Sequence, residues 1–221
     1  MNLPTKLFNA FKVNRVVKYF VLSDLVLFSG WGLVSPVFSV FVIEEVHDAT
    51  LLTVGISASI YWLARSLIQM PVANMLDKTK GERDDFNVLV WGLILASVSA
   101  FILSTVESVR ALYLVQILHG VAFGLYSPSW SAIFSRHLDK NRIAFDWSLN
   151  STTLGLASGV TGFLGGYLAV NFGFDAVFVG AGIMSLVAAF LIFSAPELIL
   201  PKPLKPIPPV RLDHTPRTTP H

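Results

Sequence analysis

The sequence predicts an all-α membrane protein in which six transmembrane helices form two inverted three-helix repeats. Three observations carry this. Apolar residues make up 53% of the 221 residues and charged ones only 14%, against roughly 25% charged in soluble domains. The apolar residues gather into six long runs separated by the charges. Finally, Gly32-Leu-Val-Ser-Pro-Val-Phe38 returns 92 positions later as Gly124-Leu-Tyr-Ser-Pro-Ser-Trp130. The same register pairs Leu22 with Leu114, Ser66 with Ser158, Leu76 with Leu168, Gly81 with Gly173, Phe86 with Phe178 and Phe101 with Phe193. One offset held across most of the chain marks a duplicated unit.

The spans fall at 17–43, 51–76, 87–106, 111–134, 148–170 and 176–195. Each has the ~20 residues a helix needs to cross ~30 Å of hydrocarbon. The alternation expected of barrel strands is absent. Span 1 is too long for a signal-peptide core and should stay in the mature protein. Spans 1 to 3 form repeat 1 (17–106) and spans 4 to 6 form repeat 2 (111–195). Three crossings is an odd number, so the second unit must run inverted. Inverted repeats of this kind build many secondary transporters, with substrate held between them near the midplane. Pro36 and Pro128 sit at matching places in spans 1 and 4, where each removes a helical hydrogen bond and should locally break its helix.

Orientation follows from the basic residues. Lys6, Lys12, Arg15 and Lys18 precede span 1, and Lys78, Lys80 and Arg83 lie between spans 2 and 3. Arg136, Lys140 and Arg142 lie between spans 4 and 5, and Lys202, Lys205, Arg211 and Arg217 follow span 6. The opposite loops hold Arg110 alone, beside Glu44, Glu45, Asp48, Glu107 and Asp175. The positive-inside rule therefore places both termini in the cytoplasm of a cell (inner) membrane. Residues 1–16 read as a cytoplasmic N-terminus, and 17–195 as the membrane domain. Residues 196–221, with eight prolines, read as a disordered cytoplasmic tail.

Asp24, Arg65 and His119 are the ionisable residues placed well within the spans. Burying Asp or Arg near a helix centre costs about 2.5–3.5 kcal/mol on the insertion scale, so each calls for a partner or water. Asp24 lies about 10 Å deep and Arg65 about 16 Å deep at 1.5 Å per residue. The comparable depths suggest an Asp24–Arg65 pair facing a cavity. Asp24, Phe28, Trp31 and Ser35 share one face of span 1, and Gln116, His119 and Phe123 share one face of span 4. His119 would titrate near neutrality and suit a proton step. The competing reading makes these residues helix packing and His119 a satisfied interior histidine.

Several segments resemble the N-terminal six-helix half of a major facilitator superfamily transporter, over about residues 15–195. The segment Ala73-Asn-Met-Leu-Asp77-Lys78-Thr-Lys-Gly81-Glu-Arg83 is similar to the family's Gly-x-x-x-Asp-Arg-x-Gly-Arg-Arg loop, with Ala in the first Gly place and Gly81 one residue late. The resemblance implies a cytoplasmic gate at Asp77, Lys78 and Arg83. Gly155, Gly159, Gly162, Gly165 and Gly166 resemble the family's Gly-rich span 5 motif, with Thr161 and Gly162 in its Gly-Pro places. Small residues at such spacing let helices approach closely. In span 4, Gln116 stands four residues before Gly120, where the family often has Arg. Helices 1 and 4 line the central cavity in that family. The implied substrate cavity is therefore Asp24, Phe28, Trp31, Arg65, Gln116, His119, Phe123, Tyr126 and Asn150.

The function expected is secondary transport of a small solute by alternating access. Family members usually have twelve helices, so the expected partners besides lipid and solute are a second copy of the chain or a separate six-helix half. The alternative class is a non-transporting polytopic membrane subunit. An intramembrane serine protease needs a histidine on a neighbouring helix, and span 6 has none, so no catalytic residues are expected. With no cysteines and no metal or phosphate motif, neither a metal nor a cofactor is expected. A net charge of +2 gives no basic field for nucleic acid.

Overall fold

A computed structural model describes residues 14–79 and 81–194. Lys6, Lys12, Lys80, most of the N-terminal segment and the proline-rich 196–221 tail lie outside the described residues. The described chain is helical: α1 (Arg15–Val34), α2 (Phe38–Glu45), α3 (Leu51–Leu76), α4 (Arg83–Leu103), α5 (Val109–His137) and α6 (Ile143–Phe193). Among the described residues the only bridge is a single parallel one, His47 with Ser108. Polar side chains start three of the helices. Asn14 accepts from the Val16 N–H, Thr50 and Thr53 form a reciprocal capping box, and Ser108 accepts from the Ala111 N–H.

Five of these helices are long and apolar enough to cross a membrane, and the 51-residue α6 is two helices in one. Its arms, 143–172 and 174–193, meet at Gly173, whose φ of 82° and ψ of 169° lie where residues with a Cβ are strained. The crossing number is thus six. Two clusters identify the ends of the bundle. At one end, the Asn14 side-chain amide donates to the His137 carbonyl at 3.1 Å, His137 faces Glu82 at 3.5 Å, and Phe86 meets Phe193. At the other, the His47 N–H bonds the Glu107 carbonyl at 2.9 Å, and Phe41 packs on Phe174 and Phe178. Asn14 and Phe193 therefore lie at the same end, as an even number of crossings requires.

The two prolines behave differently, which corrects one expectation. Pro36 does separate two helices, since α1 stops at Val34 and α2 starts at Phe38. Pro128 lies inside an uninterrupted α5. A helix survives one lost bond when its flanks are held by packing. Here Gly124 is pressed against α3, the Tyr126 backbone against Gly92 of α4, and the Ser129 hydroxyl caps the Leu125 carbonyl at 2.8 Å. Pro71, near the end of α3, is likewise absorbed within its helix.

α1 packs along α6, α3 along α5, and α4 lies against both α5 and α6. Close approach occurs where glycines remove the side chain. A Cβ on Gly30 would meet the Met184 Cβ at 2.9 Å, and one on Gly92 would meet the Ala122 carbonyl oxygen at 3.0 Å. Those two pairs, 30 with 184 and 122 with 92, interchange under the 92-residue offset. Gly32 against Ser158 and Thr161, and Gly124 against Arg65 and Ile68, interchange to within a residue. The offset read along the chain is thus also present in the contacts between helices. By contrast, α3 buries only Thr53, Ser57 and Leu76, and the 143–172 arm leaves Leu156, Val160 and Phe163 exposed.

Candidate functional site

Between α1, α3 and α5 lies a cavity of about 360 Å³, a size typical of small-molecule sites. Phe28, Trp31, Arg65, Gln116, His119 and Phe123 all line it, so the predicted faces of spans 1 and 4 converge. The wall is aromatic. Trp31 and His119 stack with centroids 3.9 Å apart and planes 14° apart, Tyr61 covers the other side of His119 at 4.6 Å, and Phe123 meets His119 edge-on at 5.0 Å. His119 is therefore held in a stack of rings.

Arg65 supplies the charge. Its guanidinium donates to the Tyr61 hydroxyl at 3.2 Å and to Ser127 Oγ at 2.8 Å, and lies 5.1 Å from the Trp62 ring and 5.8 Å from the Phe123 ring. Tyr61 sits four residues before Arg65, one turn along the same face of α3. That spacing is the signal by which the sequence could have yielded Tyr61. Trp62 and Ser127 also contact Arg65 and were absent from the predicted set, and the Ser127 contact could have been found only from the packing of α3 on α5.

The expected Asp24–Arg65 pair does not form. Asp24 instead accepts a hydrogen bond from the Tyr126 hydroxyl, deep inside the bundle at 2% exposure. Asn150 and Trp130 also approach that carboxyl, although Trp130 Nε1 and Asn150 Oδ1 make no hydrogen bond of good geometry. The reason is the arrangement of neighbours. α3 packs on one flank of α5 and α1 approaches another, so Arg65 and Asp24 are taken up separately. Asp24, Tyr126 and Asn150 thus form a buried polar cluster and do not line the cavity, a second correction to the predicted set.

At the end that carries Asn14, the Arg136 guanidinium pairs with the buried Asp85 carboxylate and reaches the Gly81 carbonyl at 3.5 Å. Thr79 bonds Asp84, and Glu82 faces His137. Asp77 and Lys78 turn off the end of α3, their N–H groups bonded to the Ala73 and Met75 carbonyls, and Arg83 opens α4. At this end Asp85 pairs with Arg136 and Glu82 faces His137, and neither contact uses Asp77, Lys78 or Arg83. The glycine stripe also divides. Gly165 lies hard against the Leu33 backbone, whereas a Cβ on Gly155, Gly159, Gly162 or Gly166 would meet nothing within 4 Å. Four of the five predicted packing glycines therefore make no close helix contact among the described residues, and Gly162 instead lines a cleft beside Gly32, Ser35 and Pro36.

Six apolar crossings around an arginine-bearing cavity define a multi-pass, all-helical membrane protein. The chain belongs to the Major Facilitator Superfamily, whose family model matches residues 20–219. It is 24% identical over 171 residues to the uncharacterised MFS-type transporter MJ1560 of Methanocaldococcus jannaschii, covering 77% of this chain and 43% of that protein. It is 27% identical over 161 residues to the quinolone resistance protein NorB of Staphylococcus aureus, covering 72% of this chain and 33% of that one. The chain therefore spans less than half the length of either relative. Its fold matches the POT family transporter PepTSo with a TM-score of 0.67 at 16% identity, over 88% of this chain and 40% of PepTSo.

Proposed function

We propose that this chain is one six-helix half of a secondary transporter that moves a small solute by alternating access, with the cavity between α1, α3 and α5 as the solute site. The observation that carries this is a charged side chain, Arg65, held at a ring-lined cavity within the membrane-spanning part of a Major Facilitator fold. Ionisable groups at such depth are costly and mark solute pathways. Relatives that carry transporter and drug-resistance names support the reading.

The two three-helix units are inverted repeats on this reading. Support comes from the contacts that interchange at the 92-residue offset. It also comes from two clefts, one beside Ser35, Pro36 and Gly162 and one beside Ser127, Pro128 and Met70, whose residues correspond at that offset. A second six-helix body, either another copy or a separate half, covers α3 and the 143–172 arm, where large apolar side chains and the open glycines are uncovered. The protein resides in the cell membrane with Asn14 and Phe193 toward the cytoplasm. The loop of Asp77, Lys78 and Arg83, next to the Asp85–Arg136 pair, acts as the cytoplasmic gate.

Because the chain has no cysteine, a single Ala58→Cys change on the cavity wall gives a clean reporter. A membrane-impermeant maleimide should react with it in both right-side-out and inside-out vesicles, since alternating access opens the cavity to each face in turn. Reaction from neither face would identify a sealed, non-transporting subunit.

A further inference from the structure

We infer that the cavity is built for an organic anion, a solute that places a carboxylate on Arg65 and a flat ring against the Trp31–His119 wall. This rests on the solute-site reading above and adds the class of solute. The guanidinium has five N–H donors, and its two hydrogen bonds go to neutral hydroxyls, Tyr61 and Ser127. Asp24, the nearest carboxylate in depth along the spans, is engaged by Tyr126. Among the described residues, no carboxylate stands within ion-pair distance of Arg65. A cation is thus displayed at the cavity with aromatic faces beside it and no counter-ion.

A carboxylate supplies what is missing, since two parallel N–H···O bonds match the guanidinium fork. The rings of Trp31, His119 and Phe123 line the cavity and give a planar solute an aromatic wall to pack on. A cationic solute would meet like charge at Arg65. A neutral one would leave the guanidinium uncompensated.

The test uses the full chain in phosphatidylcholine nanodiscs, with empty nanodiscs as the blank, and three probes of one shape: 1-naphthoate, 1-naphthamide and 1-naphthylmethylammonium. Equilibrium dialysis should show naphthoate bound about tenfold or more tighter than naphthamide, with the ammonium weakest. Arg65→Gln should erase the difference between acid and amide. Arg65→Lys, which keeps the charge and loses the fork, should retain a reduced preference. If Arg65→Gln does not fold, the wild-type ranking together with Arg65→Lys still decides. Amide or ammonium binding as tightly as naphthoate would overturn the anion assignment while sparing the cavity. Failure of all three probes to bind would overturn the cavity reading with it. Phosphatidylglycerol in the nanodisc should leave naphthoate binding in place; its loss there would assign Arg65 to a lipid headgroup and overturn the proposal.

Discussion

Tyr126 and Ser127 are neighbours on α5 and serve an acid and a base on different flanks of that helix, Tyr126 bonding the Asp24 carboxyl and Ser127 the Arg65 guanidinium. Consecutive residues of a helix point about 100° apart, so one turn of α5 separates an acid from a base that would otherwise attract each other. Tyr126→Phe removes the donor and leaves the Asp24 carboxyl buried without it. The expected cost is about 1–3 kcal/mol, seen as a lower thermal unfolding midpoint in nanodiscs. Asp24→Asn, which keeps an acceptor oxygen, should cost less. An unchanged midpoint in Tyr126→Phe would show that the hydrogen bond contributes nothing. At this scale the sequence was only partly legible. Hydropathy and the rise per residue reveal how deep Asp24 and Arg65 lie, and the helical spacing reveals which residues share a face. Neither says which helix a face will meet, and the partnering of Asp24 by Tyr126, itself named in the predicted set, follows only from the packing of α1 and α5.

The same gap between depth and direction recurs along whole helices. Glycine spacing identifies a stripe, and the structure decides where each glycine points. Gly92 is enclosed, with a Cβ there falling 2.9 Å from the Tyr126 backbone nitrogen and 3.0 Å from the Ala122 carbonyl oxygen. Both are backbone atoms and cannot swing aside. Gly92→Ala should therefore push α4 from α5 and destabilise the chain by about 1–3 kcal/mol. Gly159→Ala meets open space and should be neutral or stabilise by up to about 1 kcal/mol through helix propensity. Thermal unfolding of both variants in nanodiscs checks the contrast, and equal losses would show that Gly159 is covered, by this chain or by a second six-helix body. Pro36 and Pro128 carry a related lesson. Each deletes one hydrogen bond, a fact written in the sequence. Whether the helix parts there is not written in the sequence: α1 ends at Val34 although its last turn is packed against α6, and α5 runs on through Pro128.

At the scale of the whole molecule the sequence was most legible, because crossing number and repeat register depend on patterns that span tens of residues. Six runs became six crossings, and the 92-residue offset reappears in contacts such as Gly30 with Met184 and Ala122 with Gly92. Which membrane face each end meets is a separate matter, since helices pack alike in either orientation. It rests on charge. Arg15, Lys18, Lys78, Arg83, Arg136, Lys140 and Arg142 belong to one end of the bundle, and Glu44, Glu45, Asp48, Glu107 and Asp175 to the other. Basic loops resist translocation, so the first end should stay in the cytoplasm. Single cysteines placed at Asp48 and Lys140 sit on the connections at opposite ends. In intact cells, Asp48→Cys should react with an impermeant maleimide and Lys140→Cys only after permeabilisation. The reverse pattern would invert the orientation and leave the fold intact. Labelling of both in intact cells would be more damaging, because connections at opposite ends of a bundle with six crossings cannot share one membrane face.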